Sequence, residues 1–62
     1  MTITKDQFAD LISGLGSSYI SSGEYIGDRS TITVGEILKI LADDIRDSQT
    51  ETYEVPPTRK GE

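Results

Sequence analysis

The chain has 62 residues, of which 11 are acidic and 6 basic, a formal net charge of −5, and neither Cys nor His. It is expected to form one small domain without disulfides or the usual zinc ligands. Its charge disfavours binding to nucleic acid or anionic membranes, because cationic side chains supply most of that affinity. Since so small a domain buries too little surface to be robust alone, we expect a homo-oligomer.

The composition also argues against catalysis, because an active site without His or Cys must rely on carboxylates, hydroxyls or lysine. Asp43 and Asp47 are one helical turn apart and carry the oxygen ligands that hard cations prefer. A solvent-exposed helix face is the simpler interpretation of this pair. The glycine-rich segment 13–18 has neither a preceding strand nor the Gly-Lys-Ser/Thr of a phosphate-binding loop. We therefore predict a protein that is not an enzyme, with no cofactor and no metal site.

The first predicted element is a helix from residue 5 to about residue 22. Thr4 and Gln7 have the spacing of a capping box at its start. Apolar residues then recur at the spacings of three and four that are typical of an amphipathic helix: Phe8, Leu11, Ile12, Leu15, Tyr19 and Ile20. Gly23 fits the position that follows the helix end.

Glycines inside this segment leave a second interpretation open. Gly14 and Gly16 each cost about 1 kcal/mol relative to alanine in a helix interior. The alternative is a helix that ends near Ser13 and is followed by a loop or short hairpin through residues 19–26. We favour the continuous helix, in which the small residues around Gly14 and Gly16 allow another helix to approach closely.

Residues 23–32 are predicted to connect this helix to a second one, which runs from residue 34 to about residue 48. Thr33 and Glu36 form its expected capping box. Its apolar residues are densely spaced: Val34, Ile37, Leu38, Ile40, Leu41 and Ile45. Four of them repeat at 4-3-4 spacing like a coiled-coil seam, and the other two widen the stripe beyond what one short helix covers.

Residues 49–62 are predicted to form a flexible tail, because they are polar and because Pro56-Pro57 ends any helix upstream. The segment 53–57 has the character of a linear binding motif, and a disordered terminus is the simpler interpretation. The predicted fold is all-α: a two-helix hairpin domain at residues 1–48, assembled as a dimer in a four-helix arrangement.

Residues 7–21, QFADLISGLGSSYIS, loosely resemble the helix-turn-helix of phage-type repressors. The shared features are an apolar first helix, a Leu15-Gly16 turn and a Ser-x-x-Ile-Ser pattern that ends at Ser21. The resemblance implies DNA binding through a recognition helix at residues 17–24. The segment departs from the family in a turn about two residues too short and in a recognition helix without Lys, Arg, Asn or Gln.

We predict a non-enzymatic regulator or inhibitor that binds another protein, a role typical of small accessory proteins of phages and mobile elements. The residues expected to contact the partner are Tyr25, Ile26, Leu38, Leu41, Asp44, Ile45 and Asp47. The alternatives are an acidic DNA mimic that inhibits a DNA-processing or defence enzyme, a helix-turn-helix DNA binder, and a small structural or assembly subunit.

The sequence also predicts a cytoplasmic protein without membrane contact. No stretch approaches the roughly 20 apolar residues of a membrane span. The first residues lack the charged-then-apolar pattern of a secretory signal.

Overall fold

The computed structural model describes residues 1–55, which form a helical hairpin and a short antiparallel sheet. In chain order the elements are β1 (Thr2–Thr4), α1 (Lys5–Ile26), α2 (Arg29–Asp47) and β2 (Thr52–Glu54). The predicted pair of helices is confirmed, and the two-stranded sheet is an addition to the all-α prediction. The smallest dimension of the molecule is 13 Å, so the two helices form a single layer.

The start of α1 lies where the sequence predicts it. The Thr4 hydroxyl accepts a hydrogen bond from the Gln7 N–H at 3.1 Å. In return, the Gln7 side-chain oxygen accepts one from the Thr4 N–H at 2.9 Å. Because both bonds of the capping box are present, the free amide groups of the first turn are partly satisfied and the helix start is fixed.

α1 continues without a break through Gly14 and Gly16 and ends at Ile26. The alternative of a hairpin in the second half of this segment is therefore wrong. The helix-turn-helix interpretation is wrong as well, because it requires a turn at this point. The predicted end at Gly23 is also corrected. Gly27 terminates the helix, since its φ of 74° is a conformation that glycine adopts readily and its N–H bonds to the Gly23 carbonyl.

α2 begins earlier than predicted, at Arg29, directly after a connection of only two residues. The Asp28 carboxylate accepts hydrogen bonds from the Ser30 N–H and the Thr31 hydroxyl, each at 3.0 Å. The predicted capping box of Thr33 is wrong, because Thr33 lies inside the helix. The predicted connection at residues 23–32 is wrong for the same reason: the aspartate cap allows α2 to form as soon as the turn is complete.

Small residues form the contact between the two helices. Ala9, Gly16 and Gly23 recur every seven residues along α1, Gly35 and Ala42 do the same on α2, and all five are buried. A Cβ atom on Gly16 would lie 2.6 Å from the Gly35 carbonyl oxygen, closer than real Cβ atoms come. The helix backbones therefore touch at Gly16 and Gly35, which confirms the expected close approach near the glycine-rich segment.

The close contact leaves little room between the helices, where Ile20 packs on Gly35 and Ile32 packs on Gly23. The buried apolar residues are Ile3, Ala9, Ala42 and Ile45, and no large side chain within residues 1–55 is fully buried. The 4-3-4 seam predicted on α2 does not lie against α1 as a unit, since Val34 and Leu41 stay partly exposed. The large apolar side chains therefore line the flanks of the helix contact.

The strands β1 and β2 close the end of the hairpin that lies opposite the helix connection. They pair antiparallel, with Ile3 opposite Tyr53. The Lys5 N–H bonds to the Glu51 carbonyl at 2.9 Å and extends the pairing toward α1. Alternation places the Tyr53 side chain on the helices, where its ring packs on Phe8 with 4.9 Å between ring centroids.

β2 corrects the prediction of a flexible tail for the part of residues 49–62 that the structure describes. The apolar ring of Tyr53 holds this segment on the helices, and the Tyr53 hydroxyl shares a 2.8 Å hydrogen bond with the Ser48 hydroxyl. Residues 56–62, with the Pro56-Pro57 part of the candidate linear motif, lie outside the described residues.

Alanine substitutions test the close helix contact. Gly35→Ala adds a Cβ atom that would lie 2.5 Å from the Gly16 carbonyl oxygen. We expect the free energy of unfolding to fall by about 1–3 kcal/mol, the usual cost of overpacking, despite a gain of about 1 kcal/mol in helix propensity. Gly14→Ala is the matched control, because a Cβ there meets nothing within 4 Å and should stabilise the helix. Denaturant unfolding followed by circular dichroism measures both; equal effects would contradict the contact.

A second pair of substitutions tests where α2 begins. Asp28→Ala removes the acceptor for Ser30 and Thr31, and we expect it to lower stability by about 1 kcal/mol. Thr33→Ala should be neutral or slightly stabilising, because an exposed threonine inside a helix is replaced by a better helix former. Thermal unfolding at one fixed protein concentration compares the two variants. The reverse order of effects would place the helix start at Thr33.

Candidate functional site

One side of the hairpin carries a group of large apolar side chains that the chain itself does not cover. We call this group the apolar face. It consists of Leu11, Leu15 and Tyr19 from α1 and Val34, Ile37 and Leu41 from α2. Each of these side chains is between 43% and 59% exposed. Six large apolar residues in this state on one small chain are more than the scattered exposure usual for a monomer.

Helical periodicity explains why the six residues lie on the same side. With 100° between successive residues, the three from α1 lie on one flank of the line through Ala9, Gly16 and Gly23. The three from α2 lie on the corresponding flank of the line through Gly35 and Ala42. Because the two helices run antiparallel, these flanks face the same direction and the two rows are side by side.

Half-buried residues fill the space between the rows. Phe8, Ile12 and Tyr53 pack against the small buried core at the sheet end of the molecule. Leu38, also half-buried, lies between the rows on α2. Toward the helix connection the surface dips into a shallow hollow of about 200 Å³, lined by Ser18, Tyr19, Ser22 and Thr31. This hollow is smaller than the roughly 300–1,000 Å³ of typical small-molecule sites.

The other side of the hairpin is charged, and we call it the polar face. Its residues, by the same periodicity, are Asp6, Asp10, Glu36, Lys39, Asp43, Arg46 and Asp47. Arg46 ties the helices together here through an ion pair with Asp10, and it also lies 4.0 Å from Asp43. None of the six residues of the apolar face is Asp, Glu, Lys or Arg. The hairpin therefore separates its apolar and acidic surfaces onto opposite sides.

A further ion pair holds the sheet end. The Glu54 carboxylate accepts hydrogen bonds from the Met1 ammonium at 2.9 Å and from the Thr2 hydroxyl at 2.8 Å. The ammonium first and the hydroxyl second lower the pKa of Glu54 below its ordinary value. These bonds favour the charged carboxylate and fasten β2 to β1, which keeps Tyr53 at the edge of the apolar face.

The predicted partner-binding residues do not form one surface. Tyr25 and Ile26 are 92% and 66% exposed at the end of α1, next to the helix connection. Leu41 belongs to the apolar face, and Leu38 lies half-buried beside it. Asp44 and Asp47 are exposed on the outer and polar sides of α2.

Ile45 is corrected from a partner-binding residue to a core residue, since it is 8% exposed and packs with Ala9 and Ala42. The partner-binding set predicted from the sequence lacks five residues of the apolar face, although Val34 and Ile37 belong to the broad apolar stripe predicted on the second helix: Leu11, Leu15, Tyr19, Val34 and Ile37. The sequence feature that would have identified them is the recurrence of small residues every seven positions on each helix. It marks the helix contact and leaves the larger apolar residues on the flank.

Comparison of the chain with protein-family models, with curated proteins and with solved structures finds no match in any of the three. Neither α1 nor α2 combines the length and the hydropathy that crossing a membrane requires. Within residues 1–55, acidic side chains do not gather into a group that could hold a metal ion.

Proposed function

We propose that this chain is a non-enzymatic protein-binding regulator or inhibitor whose apolar face associates with a second copy of the chain to form the working dimer. The observation that supports this function is the row of exposed side chains on each helix, Leu11, Leu15 and Tyr19 beside Val34, Ile37 and Leu41. A contiguous apolar patch with a polar surround is characteristic of a protein-binding surface.

The magnitude of the burial favours a helical assembly. Full burial of a large apolar side chain is worth about 1.5–3 kcal/mol, so covering the six half-exposed ones stabilises a protomer by about 5–9 kcal/mol. This equals the roughly 3–9 kcal/mol by which a domain of this size is stable in total. We propose that the working form is a dimer in a four-helix arrangement, in which two copies gain about 9–18 kcal/mol against an association cost of about 4–15 kcal/mol.

Two neighbouring residues on α2 provide a matched test of this surface. Leu41 is 44% exposed on the apolar face, and Ile40 is 63% exposed on the other side of the same helix turn. Leu41→Lys should abolish association at micromolar concentration, whereas Ile40→Lys, with the same change of charge, should leave it intact. Light scattering over a dilution series measures the mass, and circular dichroism on the same samples reports helix content.

The dilution series has one further expected result. Because association and folding are coupled, the midpoint of thermal unfolding of the unmodified chain should rise with protein concentration. Association that survives Leu41→Lys and is lost with Ile40→Lys would show that proteins dock on the opposite side and would refute the proposed surface.

A second candidate, a DNA mimic, is favoured by one observation, the row of carboxylates on the polar face. Asp10, Glu36, Asp43 and Asp47 lie together there, where they resemble a line of phosphates. Arg46 offsets part of this charge, which ranks the candidate second. A DNA mimic should displace DNA from a DNA-processing enzyme at low salt and lose that effect at high salt. A lack of competition with DNA at low salt would exclude it.

A further inference from the structure

We propose that a second copy of this chain covers the apolar face, stacked face to face so that each helix runs antiparallel to its own counterpart. The inference deepens the proposed function, on which it rests, because it names the occupant of the same surface. Area, charge and the positions of the apolar rows support it in turn.

The area of the face matches what a second copy needs. α1 has 22 residues and is about 33 Å long, and two helices side by side are about 20 Å wide. The whole side of the hairpin that carries the apolar face therefore offers roughly 600 Å², and two copies stacked along its full length bury roughly 1,200 Å² together, which reaches the range of specific protein interfaces. A single helix is only about 10 Å wide and covers half of the face. Another hairpin is a layer of the required width.

Charge decides which side can pair with itself. Copies that each carry a net charge of −5 repel one another wherever their acids meet. Pairing through the polar face would bring Asp10, Glu36 and Asp43 against the same residues of the other copy. Pairing through the apolar face brings uncharged side chains together and leaves the polar faces about two helix diameters apart, roughly 20 Å. That distance exceeds the Debye length of about 8 Å at physiological ionic strength, so the repulsion is largely screened.

The positions of the rows indicate the symmetry. Leu15 is the middle residue of its row on α1, and Ile37 is the middle residue of its row on α2. The contact between Gly16 and Gly35 places these two middle residues at about the same height along the hairpin. A twofold axis at this height, perpendicular to the helices and lying between the two hairpins, places each row against the same row of the second copy. An isologous dimer requires this pairing. Leu15 then meets Leu15 of the second copy.

The same operation also brings the two ends of the hairpin together. The sheet end, where Phe8 and Tyr53 stand on the helices, is placed over the hollow between Tyr19 and Thr31 of the other copy. The Phe8–Tyr53 ring pair of one copy thus lies opposite the hollow of the other. This correspondence favours the antiparallel stacking over one in which like ends meet.

Single cysteines test this geometry directly, because the chain has no cysteine of its own. Leu15→Cys places a thiol on the proposed axis. Packing of two facing helices brings the two Cα atoms of residue 15 to about the 4.4–6.8 Å that a disulfide spans. Ser17→Cys is the control, since residue 17 is exposed on the polar side of the same helix. After mild oxidation of the full chain, we expect Leu15→Cys to be recovered mostly as a disulfide-linked dimer and Ser17→Cys to remain mostly unlinked.

The mass of the unmodified chain is measured in parallel, so that a poorly folded variant does not decide the outcome. A dimer by mass without a Leu15→Cys disulfide would overturn the stated axis. A folded monomer that binds an apolar fluorescent dye, and loses the dye with Leu41→Lys, would overturn the second copy and leave the apolar face as a docking site. Dimers linked through Ser17→Cys alone would overturn both this inference and the proposed function.

Discussion

The contact between Gly16 and Gly35 is the constraint on which the rest of the molecule depends. Because the helix backbones touch there, only Gly fits at these two positions, and the Ile20 side chain packs directly on Gly35. Helices usually pack 8–10 Å apart through interlocking side chains, and a glycine contact lies at the close end of that range. The tight contact holds the two helices together while most of the large apolar side chains of the sequence stay outside it.

Those residues are displaced onto the flanks, and the arrangement of charge makes one flank different from the other. Arg46 joins Asp10 across the polar face, and the acids of both helices lie on that side. The apolar face has no Asp, Glu, Lys or Arg among its six residues. A hairpin with so small a core buries little surface of its own, so the free energy that completes the fold comes from whatever covers this face. On the proposal of a dimer, binding and folding are coupled through this one surface.

The sequence predicts local features well where one signal dominates. The capping box of Thr4 and Gln7 and the continuous first helix are both correct, because they depend on hydrogen bonds and periodicity within a few residues. The tripeptide Thr-Ile-Thr shows the limit of such reasoning. At residues 2–4 it forms a strand before a capped helix, and at residues 31–33 it lies inside α2, because Asp28 caps the helix upstream.

The candidate site was harder to predict, since it depends on which flank of each helix meets the other. The 4-3-4 spacing on α2 suggests a seam against α1, whereas Gly35 and Ala42 form the actual contact and leave Leu41 outside. β2 was not predicted because its main contacts, the pairing with β1 and the packing of Tyr53 on Phe8, join residues far apart in the chain. Neither feature is encoded in a short window of sequence.

The most direct test of this account is the solvent accessibility of individual methyl groups, measured by nuclear magnetic resonance with a paramagnetic gadolinium chelate in solution. Ile37 and Leu41 on the apolar face, and Ile40 on the opposite side of α2, are all at least 44% exposed in the isolated chain. The account predicts that the Ile37 and Leu41 methyls are protected at high protein concentration while the Ile40 methyls relax rapidly. Equal relaxation of all three in a fully folded protein would show that nothing covers the face, and would contradict the central claim.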